Sequence, residues 1–160
     1  MIDIEVEHPA WITAVPDAAL RVRAAAVAAL RGQPQRQEEL PSGITVLLTD
    51  DAAVLELNAQ FRGLAAATNV LSFPAAPNPE GHLGDIALAF ETCLGEAKAQ
   101  AKPLSHHLQH LTVHGVLHLL GHDHIGDDEA DAMEDLERVI LAGLGVPDPY
   151  AASDGDHDRP

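Results

Sequence analysis

The chain reads as one α+β domain of 160 residues, a small mixed sheet of about four strands surrounded by about five helices. Three observations predict this. Ile2, Ile4 and Val6 alternate with Asp3, Glu5 and Glu7, the period of a half-buried strand. Gly43 to Leu48 (GITVLL) is an unbroken apolar run, suited to a strand buried on both faces. Helix-period segments stand among the strands without the strict alternation of a parallel α/β fold. No internal repeat and no second core-sized segment is present. The domain is therefore placed at 1–147, followed by a polar, acidic tail at 148–160 that is expected to be disordered.

After the first strand, Pro9 to Pro16 reads as a connection. Asp17 caps a helix to about Arg31 with Leu20, Ala24 and Val27 inward, and Gly32 stops it. Gln33 to Ser42 is a polar loop holding Pro34 and Pro41. Thr49 or Asp50 caps the next helix, which buries Val54, Leu57 and Phe61 and stops at Gly63. Thr68 to Pro74 (TNVLSFP) is a strand ended by proline, and Leu83 to Ala89 (LGDIALA) is another. Between them, Ala75 to His82 is a turn or an open loop. Phe90 to Ala101 is an alanine-rich helix broken by Pro103, and Ser105 caps the helix after it. The last helix runs from near Asp127 to about Leu144, with Met133, Leu136, Ile140 and Leu144 on one face.

Composition narrows the function. The net charge of −16 argues against simple nucleic-acid binding, which shows a basic footprint. The charge is uneven: residues 123–160 hold twelve acids and two arginines, leaving −6 for the first 122. Arg21, Arg23, Arg31 and Arg36 form either a local basic face or a solvated helix face. The charged N-terminus is not a signal peptide, and no apolar stretch approaches the ~20 residues needed to cross a membrane. One cysteine, Cys93, gives no disulfide framework and fits a reducing cytoplasm; it is given no role.

The chemistry concentrates in His114–His124, HGVLHLLGHDH. His114 and His118 are four apart and share a helix face. Gly121 is suited to end the helix in a left-handed turn, which returns the chain toward the pair. His124, or less favourably His122, is then the third member of an H-x3-H-x5-H set. Three imidazoles with an open fourth position are the pattern of a catalytic zinc site, here one Zn2+ per chain. Such a site lowers the pKa of bound water to about 7. The spacing also matches the long zinc-protease motif H-E-x-x-H-x-x-G-x-x-H, except that Gly115 stands where a protease carries its glutamate base. The metal frame is present and peptidase chemistry is not expected.

Other residues stand as candidates beside it. Arg62 precedes Gly63 and suits a phosphate or carboxylate, or a plain helix C-terminus. Asp85 interrupts an apolar strand and could orient a ligand histidine, or be an edge or turn residue. Asp123 could do the same, or be a turn residue. His107 and His110 fall within roughly 40° of His114 on a helix, further along the metal face. Either could bind substrate phosphate or shuttle a proton, or simply line a cleft.

These blocks have a family resemblance. HGVLHLLGHDH, NAQFRG, TNVLSFP, LGDIAL and DDEADAME, in order from about residue 44 to Tyr150, resemble the YbeY family of bacterial endoribonucleases. The resemblance implies an α+β fold and a zinc-dependent endonuclease for single-stranded RNA. It implies action at the 3′ end of 16S rRNA, in ribosomal RNA processing and in ribosome quality control. The family's zinc histidines fall on His114, His118 and His124, and its arginine on Arg62. Two departures stand out: His122 replaces a frequent tyrosine, and Leu64, Ala65, Ala66 and Ala67 replace basic and polar residues after the arginine.

The reading is thus metal-assisted hydrolysis of an RNA phosphodiester, with His114 and Arg62 as catalytic groups. The substrate is an rRNA precursor. Expected partners are the ribosome or its small subunit and proteins, with no membrane and no DNA. The alternatives are another zinc hydrolase, or a ribosome-associated assembly factor whose zinc is mainly structural.

Overall fold

The computed structural model describes residues 2–32, 43–63, 68–122 and 126–150, so the expected loop Gln33–Ser42 lies outside it. The four described strands, β1 (Ile2–Val6), β2 (Gly43–Thr49), β3 (Val70–Pro74) and β4 (His82–Ala89), form one sheet in the order β1-β2-β4-β3. The first three neighbours run parallel, and β3 lies antiparallel to β4 at the edge. The sheet is mixed, as expected. β2 is covered on both faces, but unequally: Ile44, Val46 and Leu48 are fully buried, whereas Thr45 and Leu47 are half-buried.

Six helices are described: α1 (Ala10–Ala14), α2 (Ala18–Arg31), α3 (Asp51–Arg62), α4 (Phe90–Ala99), α5 (Leu104–Leu119) and α6 (Asp127–Gly143). α5 is apolar on nearly every side, and Leu108, Val113, Val116 and Leu117 have no exposed surface. A helix of that kind belongs inside. It packs on the sheet, on α2 and on α6, and the main core lies between them. A smaller cluster under α3 fills the opposite face with Val54, Leu71, Ala87 and Ala89.

Several expectations need correction. The connection after β1 contains a helix, α1, held by Trp11, whose fully buried indole donates to the Thr49 carbonyl at 2.9 Å. α2 buries Ala18, Val22, Ala25, Ala26, Ala29 and Leu30, and leaves Leu20 70% exposed. Small residues let this helix approach α5 closely, so its inner face is an alanine-rich stripe beside the one expected. Phe61 is 63% exposed at the end of α3, resting edge-on against Phe73 at 5.6 Å. α5 starts at Leu104, ahead of Ser105, because the Pro103 carbonyl already accepts from His106 and His107. α4 ends at Ala99, two residues early, and Ala101 takes a left-handed φ of 54° before the proline. The acidic tail was expected from Asp148, yet the chain is pinned through Tyr150; 151–160 lie outside the described residues.

Two expectations about stability and reactivity follow from these contacts. The Asp50 carboxylate accepts from the Ala53 N–H at 2.8 Å, capping α3. Asp50→Ala should cost about 1 kcal/mol in a urea titration followed by Trp11 fluorescence. Cys93 has no exposed surface, and burial, with Glu96 and Asp51 nearby, pushes its thiol well up. It should resist alkylation in the native protein and react only in step with unfolding.

Candidate active site

α5 carries the site, and its C-terminus is built as expected. Gly121 adopts φ 97°, the Gly121 N–H bonds the His118 carbonyl, and the His122 N–H bonds the Leu117 carbonyl. This pair of bonds is the Schellman stop, and it turns the chain back at the end of the histidine face. Asp123 and His124 lie outside the described residues. The Arg62 side chain and Leu64–Ala67 also lie outside them; the backbone of Arg62 ends α3, before Gly63 at φ 70°.

His114 and His118 face one another, with ring centroids 4.6 Å apart and Nε2 to Nε2 at 3.1 Å. Two neutral nitrogens at that distance set lone pair against lone pair unless a proton or a cation lies between them. Two ligands at zinc–nitrogen distances of about 2.0–2.1 Å and a tetrahedral angle stand about 3.3 Å apart. The pair therefore fits two corners of a zinc site. Among the described residues no third metal-type side chain completes a cluster.

The other side of His114 was not foreseen. Glu137, on α6, is fully buried, and its Oε2 lies 2.6 Å from His114 Nδ1. Its Oε1 takes His110 Nε2 at 3.0 Å and the Tyr150 hydroxyl. Burial pushes this carboxyl up, but the bonds from His110 and His114 outweigh it and bring it to about 2. Glu137 is therefore a carboxylate, which only accepts hydrogen bonds. Its only sequence signal was an acid at an inward position of an amphipathic helix, four residues after Met133 and three before Ile140. Buried acids of that kind are paired.

The remaining candidates separate. His110 shares the Glu137 carboxylate with His114, and its ring meets Tyr150 edge-on at 5.5 Å. His107 is buried against Glu96 at 2.8 Å, and the same carboxylate accepts from Asn69. Asp85 does not reach His114 or His118; it pairs with His82 at 2.7 Å. The reason is strand alternation. Ile86 points at α5, where its atoms face Gly115, so Asp85 points to the opposite face of the sheet.

Gly115 also has a physical reason. A β-carbon there would lie 3.1 Å from two atoms of Ile86 and 3.2 Å from Ser72 Oγ. The Ser72 hydroxyl donates to the Gly115 carbonyl at 3.1 Å. Helix and sheet come close at this point, so a side chain in place of Gly115 would push against Ile86 and Ser72.

A cavity of about 360 Å³ opens over the pair. Edge strand β3 and the preceding Thr68 and Asn69 form one wall, and His114 and His118 line the other side. Fold and site together define a small α+β protein with a histidine-lined cleft beside strand β3 of its sheet. Residues 13–145 match the family model described as Endoribonuclease YbeY. An Endoribonuclease YbeY of Azorhizobium caulinodans is 52% identical, covering 94% of this chain and 96% of its own. That of Bradyrhizobium diazoefficiens is 45% identical, over 98% and 88%. A Thermotoga maritima protein solved in solution shares the fold, with a TM-score of 0.55 at 20% identity over all of both chains. The chain belongs to the YbeY family.

Proposed function

We propose that this protein is a zinc-dependent endoribonuclease that cleaves single-stranded RNA and trims the 3′ end of precursor 16S rRNA. The observation that carries this reading is the cleft lined by His114 and His118, in a chain whose relatives bear the endoribonuclease name. His114, His118 and His124 would hold the metal. Bound there, zinc supplies a Lewis acid and an activated water. His114 would offer its Nε2, since its Nδ1 faces Glu137 at 2.6 Å. Thr68 and Asn69 bound the substrate channel, and the Asn69 amide is held by Glu96. Arg62 would position the phosphate.

The cleft accepts a single strand more readily than a duplex, because an unpaired strand can present its phosphates and bases to a recess. At −16 the protein gains little from bulk electrostatics. We assign the missing affinity to the small ribosomal subunit and its proteins, in the cytoplasm. Among the described residues, no helix is long and apolar enough to cross a membrane.

The test is cleavage of a single-stranded RNA bearing the precursor 3′ end, with its duplex form as control. The zinc-loaded protein should cut the single strand, stop cutting after chelation, and recover on zinc addition. A folded, zinc-loaded protein that cuts neither RNA, alone or with small subunits, would overturn the enzyme reading in favour of an assembly factor.

A further inference from the structure

We propose that Glu137, clamped by Tyr150, is the positioning residue of the histidine site, fixing the tautomer of His114 before any metal arrives. The proposal deepens the metal reading of His114 and rests on it. Glu137 faces three donors from two places in the chain. His114 and His110 reach it from α5, and Tyr150 from the segment beyond α6. A carboxylate that only accepts requires a hydrogen on His114 Nδ1 and on His110 Nε2. The His114 lone pair is thereby left on Nε2, directed at His118 Nε2 at 3.1 Å. Carboxylates in this position orient metal-binding imidazoles and raise their basicity.

Tyr150 is itself held in place. Asp148 accepts from the Tyr150 N–H at 2.8 Å, and the Arg138 guanidinium lies 3.2 Å from Asp148 and 5.0 Å from the centre of the Tyr150 ring. The segment after α6 therefore sets Tyr150 against the fully buried Glu137. The purpose of the ordered segment 144–150 is explained by this clamp: it keeps the carboxylate in one rotamer.

The test uses Glu137→Gln and Tyr150→Phe in the full chain. Zinc affinity is read by competition with a chromophoric chelator, and the histidine tautomers by nitrogen NMR of the metal-free protein. A glutamine offers one acceptor and an amide donor to the same three donors, so the bond to Nδ1 is no longer assured. Glu137→Gln should weaken zinc binding about 10- to 100-fold and lose the Nδ1–H form of His114. Tyr150→Phe, which keeps the charge, should weaken it about three- to tenfold. A folded Glu137→Gln protein with wild-type zinc affinity and an unchanged His114 tautomer overturns the proposal. Should Glu137→Gln not fold, an unchanged affinity and tautomer in Tyr150→Phe overturns the clamp. If the wild type binds no zinc, the metal reading fails on its own, and the tautomer measurement still decides the role of Glu137.

Discussion

Replacing His118 with alanine should lower cleavage of the precursor RNA about 10³-fold or more while leaving the fold intact. The size follows from the several kcal/mol of charge stabilisation that a catalytic metal supplies, at about 1.4 kcal/mol per tenfold in rate. His118 is a better choice than His114, although both line the cleft. Removing the His114 ring takes from buried Glu137 its shortest histidine hydrogen bond, 2.6 Å, and a buried carboxylate left short of a donor costs about 1–3 kcal/mol or more. His114→Ala therefore risks losing activity through unfolding. His118→Ala should keep the wild-type urea midpoint and circular dichroism, and lose bound zinc together with cleavage. Equal cleavage by a folded, zinc-free His118→Ala protein would place the activity elsewhere.

Gly115→Glu should destabilise the protein by several kcal/mol and create no peptidase. The variant restores the zinc-protease spacing on paper, so the two expectations are opposed. A helical glycine replaced by a longer side chain gains about 1 kcal/mol of helix propensity. Against this, the new β-carbon would meet Ile86 at 3.1 Å and Ser72 Oγ at 3.2 Å, and overpacking costs about 1–3 kcal/mol. The carboxylate would also be driven into the helix–sheet contact, at a further cost of several kcal/mol. Urea titration followed by the buried Trp11 measures the sum. Wild-type stability in Gly115→Glu would refute the close helix–sheet contact. Gly115→Ala, with the propensity gain and no charge, should fall between the two.

The sheet strands were legible because each carries its own signal. The alternation at Ile2–Val6 and the apolar run at Gly43–Leu48 need no partner to be read, and the expected strand ends fall within two residues of those observed. The stop at Gly121 was equally local, since only the backbone angle of one residue decides it. The inward face of α2 was misread for a different reason. Its alanines bury because α5 comes close, and closeness is a property of two helices. Phe61 was placed on the buried face by helical period, and it lies 63% exposed at the last turn of α3, edge-on to Phe73.

The same division runs through the site. The spacing of His114 and His118 by itself determined that two imidazoles share one helical face, because 3.6 residues per turn leave no other arrangement. What it left open was the orientation of each ring and the group behind it. Glu137 stands 23 residues from His114, and Tyr150 stands 40 from His110. Neither distance has a local pattern. Asp85 was one of two acids that could have oriented a ligand histidine or been a plain edge or turn residue, and the alternation of β4 turns it to the far side of the sheet. Sequence alone determined which residues could do chemistry, because side-chain type and helical period are local. Only the packing of α5 against the sheet and α6 decided which carboxylate holds His114, because that contact is made in space by segments far apart in the chain.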